Sequence, residues 1–116
     1  RATAEARRAE LDLEAGRLAL AREYAALERA QLADAQEVTA FEKTVIPQAK
    51  RALELAQEGY ERGALSYLDV IEAQRALSDA RESRVQSLSS FHQNDAAIDR
   101  LTARFSQALT GTEAQP

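Results

Sequence analysis

The stretch that decides the fold is Tyr60-Glu61-Arg62-Gly63-Ala64-Leu65-Ser66-Tyr67-Leu68-Asp69-Val70-Ile71-Glu72-Ala73-Gln74. Gly63 can take the left-handed conformation that ends a helix, because it has no Cβ to clash. Ser66 suits a helix N-cap, and Asp69 three residues on completes the S-x-x-D form of a capping box. Leu65 before the cap and Val70 after it are spaced as a hydrophobic staple. Asp69 and Glu72 in the first turn complement the positive end of the new helix. These signals predict a helix end, a short turn at Gly63-Ala64-Leu65-Ser66 and a helix start, which is a chain reversal.

Outward from that turn both arms read as helix. Ala, Leu, Glu, Arg and Lys supply roughly 58% of the 116 residues, the composition of a long helix or coiled coil. One helix is predicted over about 3–62 and a second over about 67–109. At about 1.5 Å per residue they would be on the order of 90 and 65 Å long. The hairpin would thus take up residues 1–111, leaving 112–116, which lack periodicity, as a disordered tail. Gly16 and Gly59 stand alone in helical surroundings. Pro47 lies inside the first helix, after the β-branched run Thr44-Val45-Ile46, and predicts a kink, with a break as the alternative.

The apolar residues keep a seven-residue grid. On the first helix one stripe is Leu11, Leu18, Ala25, Leu32, Thr39, Ile46, Leu53, Tyr60, and a second is Leu13, Leu20, Leu27, Phe41, Leu55. The two are offset by about 200° around the helix, so this helix is expected to need a neighbour on each flank. On the second helix Val70, Leu77, Arg84, Phe91, Ile98 and Phe105 form one line, with Ala73, Ala80, Ser87, Asn94, Leu101 and Ala108 beside it. Such spacing predicts a left-handed supercoil. Folding about residue 65 pairs position 20 with about position 110, so the first ~20 residues should find no partner within the chain.

Several functions are excluded by composition. With no Cys there is no disulfide, zinc-thiolate site or cysteine nucleophile. His92 is the single His, and a lone His beside Phe91 reads as a surface or packing residue, so no metal site and no cofactor is expected. A net charge of -4 and a pI near 5.1 argue against nucleic-acid binding. No apolar run approaches the roughly 20 residues of a membrane-spanning helix. No nucleophile–base pair or glycine-rich phosphate loop appears, so an enzyme is not expected. The chain contains no Met, as expected of a processed product or an excised piece.

The turn segment also resembles a known family. Its pattern, with Val45-Ile46-Pro47-Gln48-Ala49-Lys50-Arg51-Ala52-Leu53-Glu54-Leu55-Ala56 upstream and Phe91-His92-Gln93 and Ile98-Asp99-Arg100-Leu101 downstream, is similar to the second repeat of outer membrane factors, the TolC family. The wording looks most like the CzcC/CusC heavy-metal efflux branch. The resemblance covers about residues 5–110, and its specific part is the Tyr-x-x-Gly-x-x-Ser-x-x-Asp-Val segment. It implies a trimer with a β-barrel in the outer membrane and an α-helical tunnel in the periplasm, of which this chain would be one hairpin. The tip Gly63, Ala64, Leu65, Ser66, Tyr67 would meet a periplasmic adaptor (membrane fusion) protein, and through it an inner-membrane pump exporting metal ions or drugs.

The resemblance further implies that Tyr60, Asp69 and Glu72 lie at the periplasmic entrance, where three copies of the two carboxylates would attract cations. Where TolC itself has an arginine that helps hold the entrance shut, this chain has Leu65, so a basic lock at that position cannot operate. Each residue also has a plainer role: Asp69 as the capping-box acceptor, Glu72 as a solvated first-turn carboxylate, Tyr60 as a core residue of the Leu11 stripe. Tyr67 is expected to be exposed. The alternative function is a free-standing coiled-coil scaffold or tether that binds another helical protein. Such a scaffold would not need a Gly/Ser turn flanked by Tyr60, Tyr67 and paired carboxylates.

Overall fold

The computed structural model describes residues 2–113. The described residues form α1 (Ala2–Ala40), a π turn (Phe41–Val45), α2 (Ile46–Glu61) and α3 (Tyr67–Glu113). The fold is an all-α helical hairpin. Helix α3 passes its expected end near 109 and takes in residues 112 and 113 of the stretch expected to be a disordered tail. A glycine inside a helix costs only about 1 kcal/mol, so Gly111 alone does not stop it. The rest of the expected tail, 114–116, lies outside the described residues. The chain divides into two compact units, one of Leu32–His92 and one of Arg1–Gln31 with Gln93–Pro116.

In the unit of Leu32–His92 the helices meet along one seam. From α3 come Val70, Leu77, Ala80 and Ser87, all buried, with Ala73, Arg84 and Phe91 half-buried between them. These belong to the two adjacent seven-residue lines read from the sequence. Facing it are Ala35, Val38 and Phe41, then Ile46, Ala49, Leu53 and the buried Ala56. The polar residues of the seam are paired. Ser90 Oγ donates to Asp34 Oδ2 at 2.8 Å and Ser87 Oγ donates to Glu37 Oε2 at 3.1 Å. Arg84 Nε and Nη2 both lie 2.8 Å from Glu42 Oε1. Left unpaired, the buried Ser87 hydroxyl would cost about 1–3 kcal/mol, whereas the partly exposed Arg84–Glu42 pair contributes about 0–1 kcal/mol.

The π turn resets the seam. The Ile46 N–H donates to the carbonyl of Phe41, five residues back instead of four. An uninterrupted α-helix leaving Phe41 would turn residues 45, 48, 52 and 55 inward. The residues that turn inward are Ile46, Ala49, Leu53 and Ala56, each one position later. Pro47 supplies the reason. It has no N–H, and in a regular α-helix its ring would press on the carbonyl of residue 43. The wider turn just before it absorbs both defects. The helix does not break there, since Ile46 keeps φ -65° and ψ -46°.

This reset explains part of the doubled stripe. Ile46 and Leu53 of the first stripe face α3, while Leu32 and Thr39 of the same stripe face solvent. Phe41 of the second stripe faces inward, and Leu55 faces out. In this unit the two stripes are two stretches of one seam displaced by one residue. The expectation of a neighbour on each flank is corrected to that extent.

In the other unit Leu101 is buried, and Leu20, Leu27, Ala97 and Ile98 are half-buried. Gln31 Nε2 donates to Asp95 Oδ1 at 2.9 Å, and Arg104 lies 3.7 Å from Glu23. Residues 2–19 are all exposed, Leu11, Leu13 and Leu18 among them, as the unequal arm lengths predict. Phe105, expected in the seam, is 44% exposed. It borders an open apolar cleft of about 480 Å³ together with Leu20, Tyr24 and Leu101.

Candidate functional site at the hairpin tip

The tip is built by two caps placed back to back. Helix α2 ends in a Schellman arrangement around Gly63, whose φ is +75°. The Gly63 N–H donates to the Tyr60 carbonyl at 3.0 Å, and the Ala64 N–H to the Gly59 carbonyl at 2.8 Å. The Leu65 N–H donates to the same Gly59 carbonyl at 3.0 Å. Three amides therefore close the last turn, and only a residue at ease with positive φ can stand at 63.

Helix α3 starts with the capping box read from the sequence. The Asp69 N–H donates to Ser66 Oγ at 3.3 Å, and the Ser66 N–H donates back to Asp69 Oδ2 at 2.9 Å. The Ser66 hydroxyl also donates to Asp69 Oδ2 at 3.0 Å. One oxygen of Asp69 is thus committed to the cap. Its capping role is a fact of the geometry.

Leu65 sits between the caps. Its side chain folds over Gly59 so closely that a Cβ built on Gly59 would lie 2.5 Å from Leu65 Cδ1 and 2.7 Å from Cγ. Gly59 is therefore a close-approach glycine. The sequence shows it only as an isolated helical glycine, and the signal that could have exposed it is its spacing of four residues before Gly63. Tyr60 and Tyr67 pair across the turn, with ring centroids 5.7 Å apart and planes at 59°. Tyr60 is exposed, so the core role considered for it is corrected: it continues the Ile46–Leu53 line but stands in the last turn of α2, one turn past the buried Ala56.

The remaining tip residues follow the same division. Ala64, Ser66 and Glu72 are exposed, and Asp69 is half-buried. Leu68, which the sequence reading passed over, is the most open apolar residue here at 63% exposure, next to Tyr67 at 60%. Its signal was negative: it falls off the Val70–Ala73–Leu77 seam line and so has no place inside. Tyr60, Leu65, Tyr67 and Leu68 together make a rigidly capped tip with apolar and phenolic surface. No group of three or more His, Cys, Asp or Glu among the described residues could hold a metal ion. No described helix is long and apolar enough to cross a membrane.

Fold and tip together define an antiparallel helical hairpin whose distinguishing surface is its closed end. Comparison with known proteins adds one specific likeness. The chain is 40% identical over 62 residues to the cobalt-zinc-cadmium resistance protein CzcC of Cupriavidus metallidurans. The match takes in 53% of this chain and 15% of that protein, so the chain spans a small part of the relative's length. No protein-family model matches the chain, and no solved structure does.

Proposed function

We propose that this chain is the periplasmic tip hairpin of a tunnel-forming outer membrane efflux channel that exports metal ions. The likeness to a cobalt-zinc-cadmium resistance protein carries this reading. It agrees with the resemblance of the turn segment to the heavy-metal branch of outer membrane factors. The hairpin does no chemistry. Its work is to pack into a helical wall, to present Gly63, Ala64, Leu65, Ser66 and Tyr67 to a periplasmic adaptor, and to line the entrance. The adaptor couples the channel to an inner-membrane pump. The full-length protein is a homotrimer anchored by a β-barrel.

The capped tip supports docking on physical grounds. Its shape is fixed by backbone hydrogen bonds and two caps before any partner arrives, so little ordering entropy opposes binding. Its exposed tyrosines and leucines are of the kind that act as interface anchors. Leu65 contributes apolar surface where a basic lock would stand, so closure of the entrance rests on packing, with Tyr60, Asp69 and Glu72 as its lining. Gly63→Pro or Ser66→Leu in the full-length channel is expected to abolish metal resistance while leaving the protein in the outer membrane. Unchanged resistance would remove the docking role.

A further inference from the structure

We propose that the π turn is a register joint for α2, which can bring either of two apolar faces to α3. The face now inward comprises Ile46, Ala49, Leu53 and Ala56. Converting Phe41–Val45 to regular α-helix would bring the preceding residues Val45, Gln48, Ala52 and Leu55 inward instead, a rotation of about 100°. Each set holds one β-branched residue, one Leu and one Ala, and the second puts Gln48 where the first has Ala49. Apart from Ala49 and Gln48 they differ by a single methylene, so within the seam it is the Gln48 amide, costly to bury unpaired, that counts against the second register. The second face is now unused: Val45 is 39% and Leu55 48% exposed.

Two further features select the observed register from outside the seam. Pro47 disfavours an α-helical turn ahead of it. Glu42, within the π turn, is gripped by Arg84 through two nitrogens at 2.8 Å. Both features act on the five residues that would have to rewind. At the other end of α2 the exchange would carry Gly59 from under Leu65 and Tyr60 away from Tyr67. The shape of the tip is therefore set from a turn about four helical turns away. The register exchange stands independently of the docking reading, which only gives it a consequence. Turns with an extra residue of this kind are often placed at functional joints.

The absence of Cys allows a clean test by disulfide trapping in the whole chain. Extending the observed pairing of Glu37 with Ser87 and Glu42 with Arg84 brings Leu53 opposite Ala73. The Leu53→Cys/Ala73→Cys pair should bridge readily, and the Ala52→Cys/Ala73→Cys pair poorly. Adding Pro47→Ala, Gln48→Ala and Arg84→Met should shift the ratio of the two bridged products about tenfold or more toward the 52–73 pair. Circular dichroism should show helicity retained. An unchanged ratio in a helical chain would overturn the proposal. So would a parent chain that prefers the 52–73 bridge, or loss of helicity in the Pro47→Ala/Gln48→Ala/Arg84→Met chain, since the second register is a folded alternative.

Discussion

Replacing Gly59 by Ala tests the tip geometry with an unusual sign. In an exposed helix Gly→Ala stabilises by roughly 0.5–1 kcal/mol, because alanine loses less backbone entropy. Here the new Cβ would come within 2.5 Å of Leu65 Cδ1 and 2.7 Å of Cγ. Leu65 must then leave its position, and forced overpacking of this kind costs about 1–3 kcal/mol. Part of that cost is relieved because Leu65 is partly exposed and can swing outward. The net expectation is a loss of about 0–2 kcal/mol in the parent chain. In a Leu65→Ala background only the 3.3 Å approach to the Leu65 Cβ remains, and Gly59→Ala should stabilise by about 0.5–1 kcal/mol. Urea unfolding followed by helical circular dichroism, at one fixed protein concentration, measures all four chains of the cycle. A coupling of about 1 kcal/mol or more is expected. Equal stabilisation in both backgrounds would refute the close approach of Leu65 to Gly59.

Two further outcomes can be checked on the same material. Ser66→Ala should cost about 0.5–2 kcal/mol by removing the acceptor for the Asp69 N–H, and Ser66→Asp should recover little of it because the new carboxylate would face Asp69; equal stability of Ser66→Ala and parent in urea would contradict the capping box. Tyr24 is held above the ordinary tyrosine value of about 10 by its hydrogen bond to Glu28, and secondarily by the charge of Glu28. A raised phenol favours folding below its unfolded value, and that contribution is lost as pH rises through the folded value. Glu28→Gln should lower the Tyr24 titration, read by phenolate absorbance in a chain with Tyr60 and Tyr67 changed to Phe; an unmoved curve would sink the assignment.

The caps were legible because they are local. Gly63, Ser66 and Asp69 act through residues three to five positions away, and sequence spacing reports such contacts directly. The α3 seam was legible for a related reason: a sustained seven-residue grid leaves one face to bury, and Val70, Leu77 and Ala80 occupy it. The π turn was not legible. Pro47 announced a disturbance, but whether the helix would bend, break or widen depends on which register best fills the facing seam, and that is a tertiary question. The doubled stripe therefore looked like two partners when part of it was one seam with a one-residue offset. Gly59 and Leu68 were missed for opposite reasons. The first matters through a contact made by the turn folding back, and the second through its exposure.

The central claim is that the tip is a docking surface for the periplasmic adaptor. The most direct measurement is site-specific photo-crosslinking in cells that carry the full-length channel with its adaptor and pump. A photoreactive residue would replace Leu68 at the tip or, as a control, the exposed Val85 on α3. The account predicts a crosslink between Leu68 and the adaptor, lost when Gly63→Pro is added, and none from Val85. No adaptor product from Leu68 in a channel that still confers metal resistance would contradict it.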